Sequence, residues 1–152
     1  MEQEVASIAK YMIENSGGAY PYYWKIPEGF MVPSIYFPEP EVASYGDTFT
    51  SFRYEYSWYV KVFSNNDQQA HNIALKIIDA IVSNRNLIPL VDETGEPLPY
   101  GVRIKNPEMK NIEDSPSAVQ LYIRWQSSRP YRSENAKRAM DLIMSISAKG
   151  YD

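Results

Sequence analysis

The alternation of apolar and polar residues is strongest between Thr48 and Phe63. Phe52, Tyr54, Tyr56, Trp58, Val60 and Val62 fall on one side of the register. Ser51, Arg53, Glu55, Ser57, Tyr59 and Lys61 fall on the other. A period of two, carried by aromatic and β-branched residues with no Gly or Pro, predicts a half-buried β-strand. At ~3.3 Å per residue the strand spans roughly 50 Å. A compact chain of this length has a diameter of roughly 40 Å. The strand is therefore expected to bend or to carry one end beyond the body. Phe49 and Phe52 break the alternation at its start, marking a bulge or the point where a hairpin leaves the body.

Three helical patterns surround this strand. Over Glu2 to Glu14, Val5, Ile8, Ala9, Met12 and Ile13 make one apolar stripe, and Asn15-Ser16-Gly17-Gly18 stops it. Over Gln68 to Asn84 the stripe is Ala70, Ile73, Ala74, Ile77, Ile78 and Ile81, preceded by the capping cluster Ser64-Asn65-Asn66-Asp67. Over Ser133 to Ala148 it is Ala136, Ala139, Met140, Ile143 and Ile146.

The shorter strand patterns are Tyr22 to Ile26, the proline-bounded Pro33 to Pro38, and Glu39 to Tyr45. Gly46-Asp47 is placed to turn the last of these into the long strand, so Glu39 to Phe63 reads as one antiparallel hairpin. Leu87 to Val91 can supply a short strand. Tyr100 to Lys105 and Ser117 to Gln126 are further strands, with Asn106 to Pro116 a polar loop between them and Ser127-Ser128-Arg129-Pro130 as the final breaker. Strand runs separated by helices without a regular βαβ rhythm predict an α+β fold. Its sheet is mainly antiparallel, with a long β-hairpin, flanked by an N-terminal, a central and a C-terminal helix. No repeat or linker divides the chain, so residues 1–152 are expected to form a single domain.

Composition narrows the function. The 13 Tyr, 3 Trp and 5 Phe supply many amphipathic contact groups, which serve a β-rich core or an interface. A net charge of −4 without a Lys/Arg-rich run does not point to nucleic acid. The absence of Cys removes disulfides, thiol catalysis and Cys-ligated metals. No apolar stretch approaches the ~20 residues of a membrane span, and the N-terminus lacks the pattern of a signal peptide.

Candidate chemistry is sparse. His71 is the single imidazole, without a recognisable nucleophile or orienting acid nearby in sequence. The acidic run Asp92-Glu93-Thr94-Gly95-Glu96 lacks the alternating ligand positions of a calcium loop and reads as a turn. Glu28, Glu39 and Glu41 stand beside prolines as solvated acids. No nucleotide-binding or hydrolase signature occurs, and no cofactor, metal or catalytic residue is expected. The polar strand faces carry Arg53, Glu55, Lys61, Arg103, Lys105 and Arg124. Such a face is either solvated, with cross-strand charge pairs, or used for assembly. Phe49, Arg53, Glu55, Lys61, Arg103 and Arg124 are the candidate subunit-interface residues.

The order of elements has a familiar form. An amphipathic helix leads to Tyr22-Tyr23-Trp24-Lys25-Ile26-Pro27-Glu28-Gly29. The proline-bounded strand Val32-Pro33-Ser34-Ile35-Tyr36-Phe37-Pro38, the long hairpin, the second helix and a closing strand with Arg124 and Trp125 follow. This resembles the tail terminator, or tail-completion, proteins of long-tailed bacteriophages and phage-like particles, over most of the chain. The resemblance implies a small non-enzymatic α+β subunit that forms a ring, a homohexamer, in the virion tail. The ring caps the tail tube, ends its polymerisation and meets head-side connector or neck proteins, while genome DNA passes through unread. Assembly would take place in the bacterial host cytoplasm. A different head–tail connector shares these features. The alternative is a small-ligand-binding module or small enzyme with an aromatic pocket lined by Tyr54, Tyr56, Trp58 and Trp125, with His71 nearby.

Overall fold

The computed structural model describes residues 2–113 and 117–132. The expected C-terminal helix, Ser133 to Ala148, lies outside the described residues. The order of elements is α1 (Gln3–Glu14), β1 (Tyr20–Tyr23), β2 (Ser34–Phe37), β3 (Glu41–Gly46), β4 (Ser51–Phe63), α2 (Asp67–Ser83), β5 (Leu87–Val91), β6 (Pro97–Asn111) and β7 (Ala118–Pro130). The strands form a seven-stranded sheet in the order β1-β2-β4-β7-β6-β5, and β3 pairs with β4. β2 with β4, β5 with β6 and β6 with β7 are antiparallel; β1 and β2 are parallel. The fold class is α+β.

Tertiary contacts divide the chain into two compact units. Among the described residues, the first holds those up to Glu41 and from Ser57 to Trp125; the second holds Val42–Tyr56 and those from Gln126 to Arg132. In the first unit the alternation read from sequence becomes a core. Trp58, Val60 and Val62 of β4 are buried together with Leu121, Ile123 and Trp125 of β7 and Ile104 of β6. Helix α1 packs on β5, and α2 on β6 and β5. The α1 stripe buries Val5, Ile8, Ala9 and Met12; the α2 stripe buries Ala70, Ala74, Ile77 and Ile81. Asn66 caps α2, its side chain accepting from the backbone N–H of Gln69 at 2.9 Å. The helices are tied to each other by the Tyr11 hydroxyl, which donates to the Ala80 carbonyl at 2.8 Å. Trp125 Nε1 donates to Glu4 of α1 at 3.0 Å, so the indole that fills the core also satisfies its polar atom.

Several boundaries differ from the sequence expectation, each for a local reason. β1 starts at Tyr20 and ends at Tyr23, because Trp24 adopts a left-handed conformation, φ 65. Pro21 is tolerated since β1 is an edge strand. β6 does not stop at Lys105 but runs through the expected loop to Asn111. Its register against β7 slips by one residue there, Lys105 facing Arg124 while Glu108 faces Tyr122. This is a bulge at Asn106 and Pro107: the extra residue removes the need for a ladder donor that proline lacks. β7 likewise continues through Ser127-Ser128-Arg129 to Pro130. Phe49 lies in the turn between β3 and β4, and the long strand begins at Ser51 rather than Thr48.

One glycine has a structural duty. Gly101 on β6 faces Pro89 of β5, and a Cβ there would lie 2.5 Å from the Ile88 carbonyl oxygen. Gly101→Ala is expected to push β5 away from β6 and cost about 1–3 kcal/mol, the usual penalty of overpacking. Denaturant unfolding checks this, and an unchanged midpoint contradicts it.

Candidate functional site

The second unit is a small aromatic and polar cluster built on the β3–β4 hairpin and the end of β7. All six residues of β3 are exposed. Val42 and Tyr45 are about half accessible and Phe49, in the turn, is 63% exposed. The turn is held by Asp47, whose carboxylate accepts from Ser51 Oγ at 3.1 Å and Ser128 Oγ at 3.0 Å. These bonds, with the Tyr131 amide donating to the Thr50 carbonyl at 2.9 Å, explain why the Ser-Ser-Arg-Pro sequence stays a strand. Arg129 lies over the Tyr54 ring, 5.3 Å from its centroid, and donates to the Tyr56 hydroxyl at 3.3 Å. Phe52 packs on Tyr131 with centroids 5.4 Å apart.

Two of the expected interface residues are engaged within this unit. Arg53 Nε is 3.4 Å from the Glu55 carboxylate, its Nη1 donates to the Gly46 carbonyl at 3.3 Å, and its guanidinium sits 5.3 Å from the Tyr45 ring. Glu55 also accepts from Gln126 at 2.7 Å. Their charges organise the hairpin. Phe49 is the expected residue that stands open.

Lys61, Arg103 and Arg124 belong to the first unit, on strand positions that point away from the buried residues. Lys61 faces Tyr36 of β2 in register, and Arg124 faces Lys105 of β6. Arg103 is turned to the sheet edge, donating to the Arg85 carbonyl at 3.0 Å. The centre of the face is a stack that sequence reasoning did not single out. Tyr59 and Tyr122 lie parallel, centroids 4.9 Å apart at 10°, and the Arg124 guanidinium sits 4.7 Å from the Tyr122 centroid. The hydrogen bond with Tyr122, aided by partial burial, holds the Tyr59 phenol above the ordinary tyrosine value. Beside the stack is a groove of about 400 Å³ lined by Tyr59, Glu108, Met109, Lys110, Gln120 and Tyr122. Half of that lining comes from the segment read as a loop, so only the β6–β7 register could have revealed it.

The acidic run is a turn, as expected. Asp92 Oδ1 accepts from the Thr94 hydroxyl at 2.6 Å, the Thr94 amide at 2.8 Å and the Glu96 amide at 3.0 Å. The Thr94 hydroxyl, followed by the Glu96 amide, holds the carboxyl below the ordinary aspartate range. A depressed carboxyl contributes its full stabilisation above the ordinary value and loses it as pH falls through the depressed one. The Thr94 and Glu96 amide resonances are expected to move together on acidification, with a midpoint below about 3.9. A midpoint at or above that value contradicts the assignment.

Of the four residues expected to line an aromatic pocket, Tyr56, Trp58 and Trp125 are buried, and Tyr54 is half-buried. Trp58 and Trp125 are at most 1% exposed and Tyr56 is 2% exposed, all within packed side chains, while His71 is exposed on α2. Among the described residues no group of three His, Asp or Glu side chains gathers to hold a metal ion, and no helix is long and apolar enough to cross a membrane.

This arrangement of sheet and helices is shared with a chain from the virion of a native gene transfer agent particle. The TM-score is 0.50 at 14% identity, covering 84% of this chain and 94% of that one. No family model matches the chain. Two proteins of Bacillus subtilis (strain 168) are similar in sequence over nearly their whole length. YqbJ is 36% identical over 144 residues, covering 93% of this chain and 94% of its own. The phage-like element PBSX protein XkdJ is 35% identical over 150 residues, covering 98% of this chain and 100% of its own. The chain belongs to the family of XkdJ and YqbJ, a family with a member in a phage-like element.

Proposed function

We propose that this chain is a non-enzymatic structural subunit of a phage-like particle, and that it forms a ring, of six copies, which caps the tail tube. The observation that carries the reading is the end-to-end kinship with a protein of the phage-like element PBSX. The fold it has in common with a chain of a virion particle agrees with it. The ring ends polymerisation of the tube, meets head-side neck proteins on its other surface, and lets DNA pass without reading its sequence. A subunit of such a ring needs two different complementary patches for its neighbours, besides surfaces for the tube and neck. The exposed hairpin with Phe49 and the polar sheet face with Lys61 and Arg124 supply surfaces of this kind.

The test is polymerisation of the cognate tail-tube protein with and without this chain. Tubes grown in its presence are expected to be shorter and to carry extra density at one end in negative-stain images. Tubes of unchanged length with bare ends contradict the capping role. Binding to neck proteins without binding to tube ends would move the subunit to a different place in the head–tail junction.

A further inference from the structure

The first unit carries two regions of opposite charge on different layers. On the sheet surface away from the helices, Lys61, Lys110 and Arg124 surround the Tyr59–Tyr122 stack, with Glu108 on the same strand face and the Glu41 carboxylate near the Tyr59 phenol as the acids there. Lys61, Lys110 and Arg124 make no ion pair among the described residues. Arg124 Nε is buried and has no hydrogen-bond partner. On the helix layer, the β5–β6 turn presents Glu93 and Glu96, both exposed and in no ion pair among the described residues. The turn is held beside α1: Gln3 donates to the Val91 carbonyl at 3.0 Å and Lys10 to the Gly95 carbonyl at 2.5 Å. Asp92 is committed to the turn's own amides, which leaves the two glutamates to face outward on a fixed scaffold.

We propose that the partner of the basic, tyrosine-lined sheet face is the acidic β5–β6 turn of a second copy of this chain. The two patches differ, so each copy uses its face for one neighbour and its turn for the next. Repetition of such a head-to-tail contact closes into a ring when the rotation per copy allows. The stacked tyrosines provide the amphipathic centre of the contact, and the charges set its orientation. The inference rests on the ring reading and adds which surfaces join its subunits. It leaves the hairpin free for a different partner, such as the tube.

Paired charge reversal tests this. One variant carries Lys61→Glu and Arg124→Glu; the other carries Glu93→Lys and Glu96→Lys. Each alone sets like charges against each other at every junction. Each is expected to raise the concentration for half-assembly by about tenfold or more, read as mass by light scattering, with melting curves near that of the wild type. An equimolar mixture is expected to assemble again, because every alternating junction then pairs opposite charges. Because Arg124 is half-buried, Lys61→Glu with Lys110→Glu serves as a second face variant should the first melt early. If either variant assembles as the wild type does, or if the mixture stays dissociated, the contact is overturned while a wild-type ring still stands. If the wild type itself stays monomeric in solution and on tube ends, the ring reading falls and the contact with it.

Discussion

Trp58→Ala lowers stability by about 3–5 kcal/mol, the range for truncating a buried aromatic. Trp58 is fully buried, tilted against Phe37 with centroids 5.3 Å apart and edge-on to Trp125 at 5.8 Å. Its indole N–H donates to the Pro38 carbonyl. Alanine therefore removes the packing against two rings and leaves the half-buried Pro38 carbonyl without its donor. At roughly 2–4 °C per kcal/mol for a chain of this size, the melting temperature falls by roughly 6–20 °C. Trp58→Phe keeps much of the volume but not the donor, and is expected to cost less, about 1–3 kcal/mol. Thermal unfolding followed by circular dichroism reads both. An alanine variant within 1 kcal/mol of the wild type would contradict Trp58 as the keystone of this core.

Phe49→Asp has the opposite profile. Phe49 is 63% exposed in the 47–50 turn, so the substitution is expected to change stability by no more than about 0.5 kcal/mol. An aromatic anchor at the centre of a contact is worth about 2 kcal/mol or more. Binding to tube ends should accordingly fall by roughly thirtyfold or more at that energy. Arg53→Glu is the less informative change. It would place two carboxylates side by side and break the bonds to Gly46 and Glu55, disturbing the hairpin itself. A stable Phe49→Asp protein that binds tube ends normally would remove the hairpin tip from that contact.

The sequence pattern carried most of the core because side-chain alternation and helical stripes record burial directly. Tyr56, Trp58, Val60 and Val62 are buried on the side the register assigned, and so are Ala70, Ala74, Ile77 and Ile81 of α2. Local breakers misled where strand pairing outweighed them. Pro107 reads as a loop residue, yet a bulge absorbs it and β6 continues; Ser127 and Ser128 read as a stop, yet Asp47 holds Ser128 in place. The candidate site was legible only residue by residue. Lys61 and Arg124 were identifiable as polar-face residues, but the stacking of Tyr59 on Tyr122 depends on how β4 and β7 align, which no local pattern records. Arg53 and Glu55, expected on a polar face with charge pairs across strands or on an assembly surface, are joined along one strand, since residues two apart on a strand share a face.

This subunit is expected to work as a closed assembly rather than alone. Light scattering of the purified chain over a rising concentration series, with negative-stain images of the same samples, tests it most directly. The expected result is a discrete multiple of the 17.5 kDa chain mass, six copies, seen as rings with a central hole. A mass of one chain at every concentration, with no rings and no particles at tube ends, would contradict it.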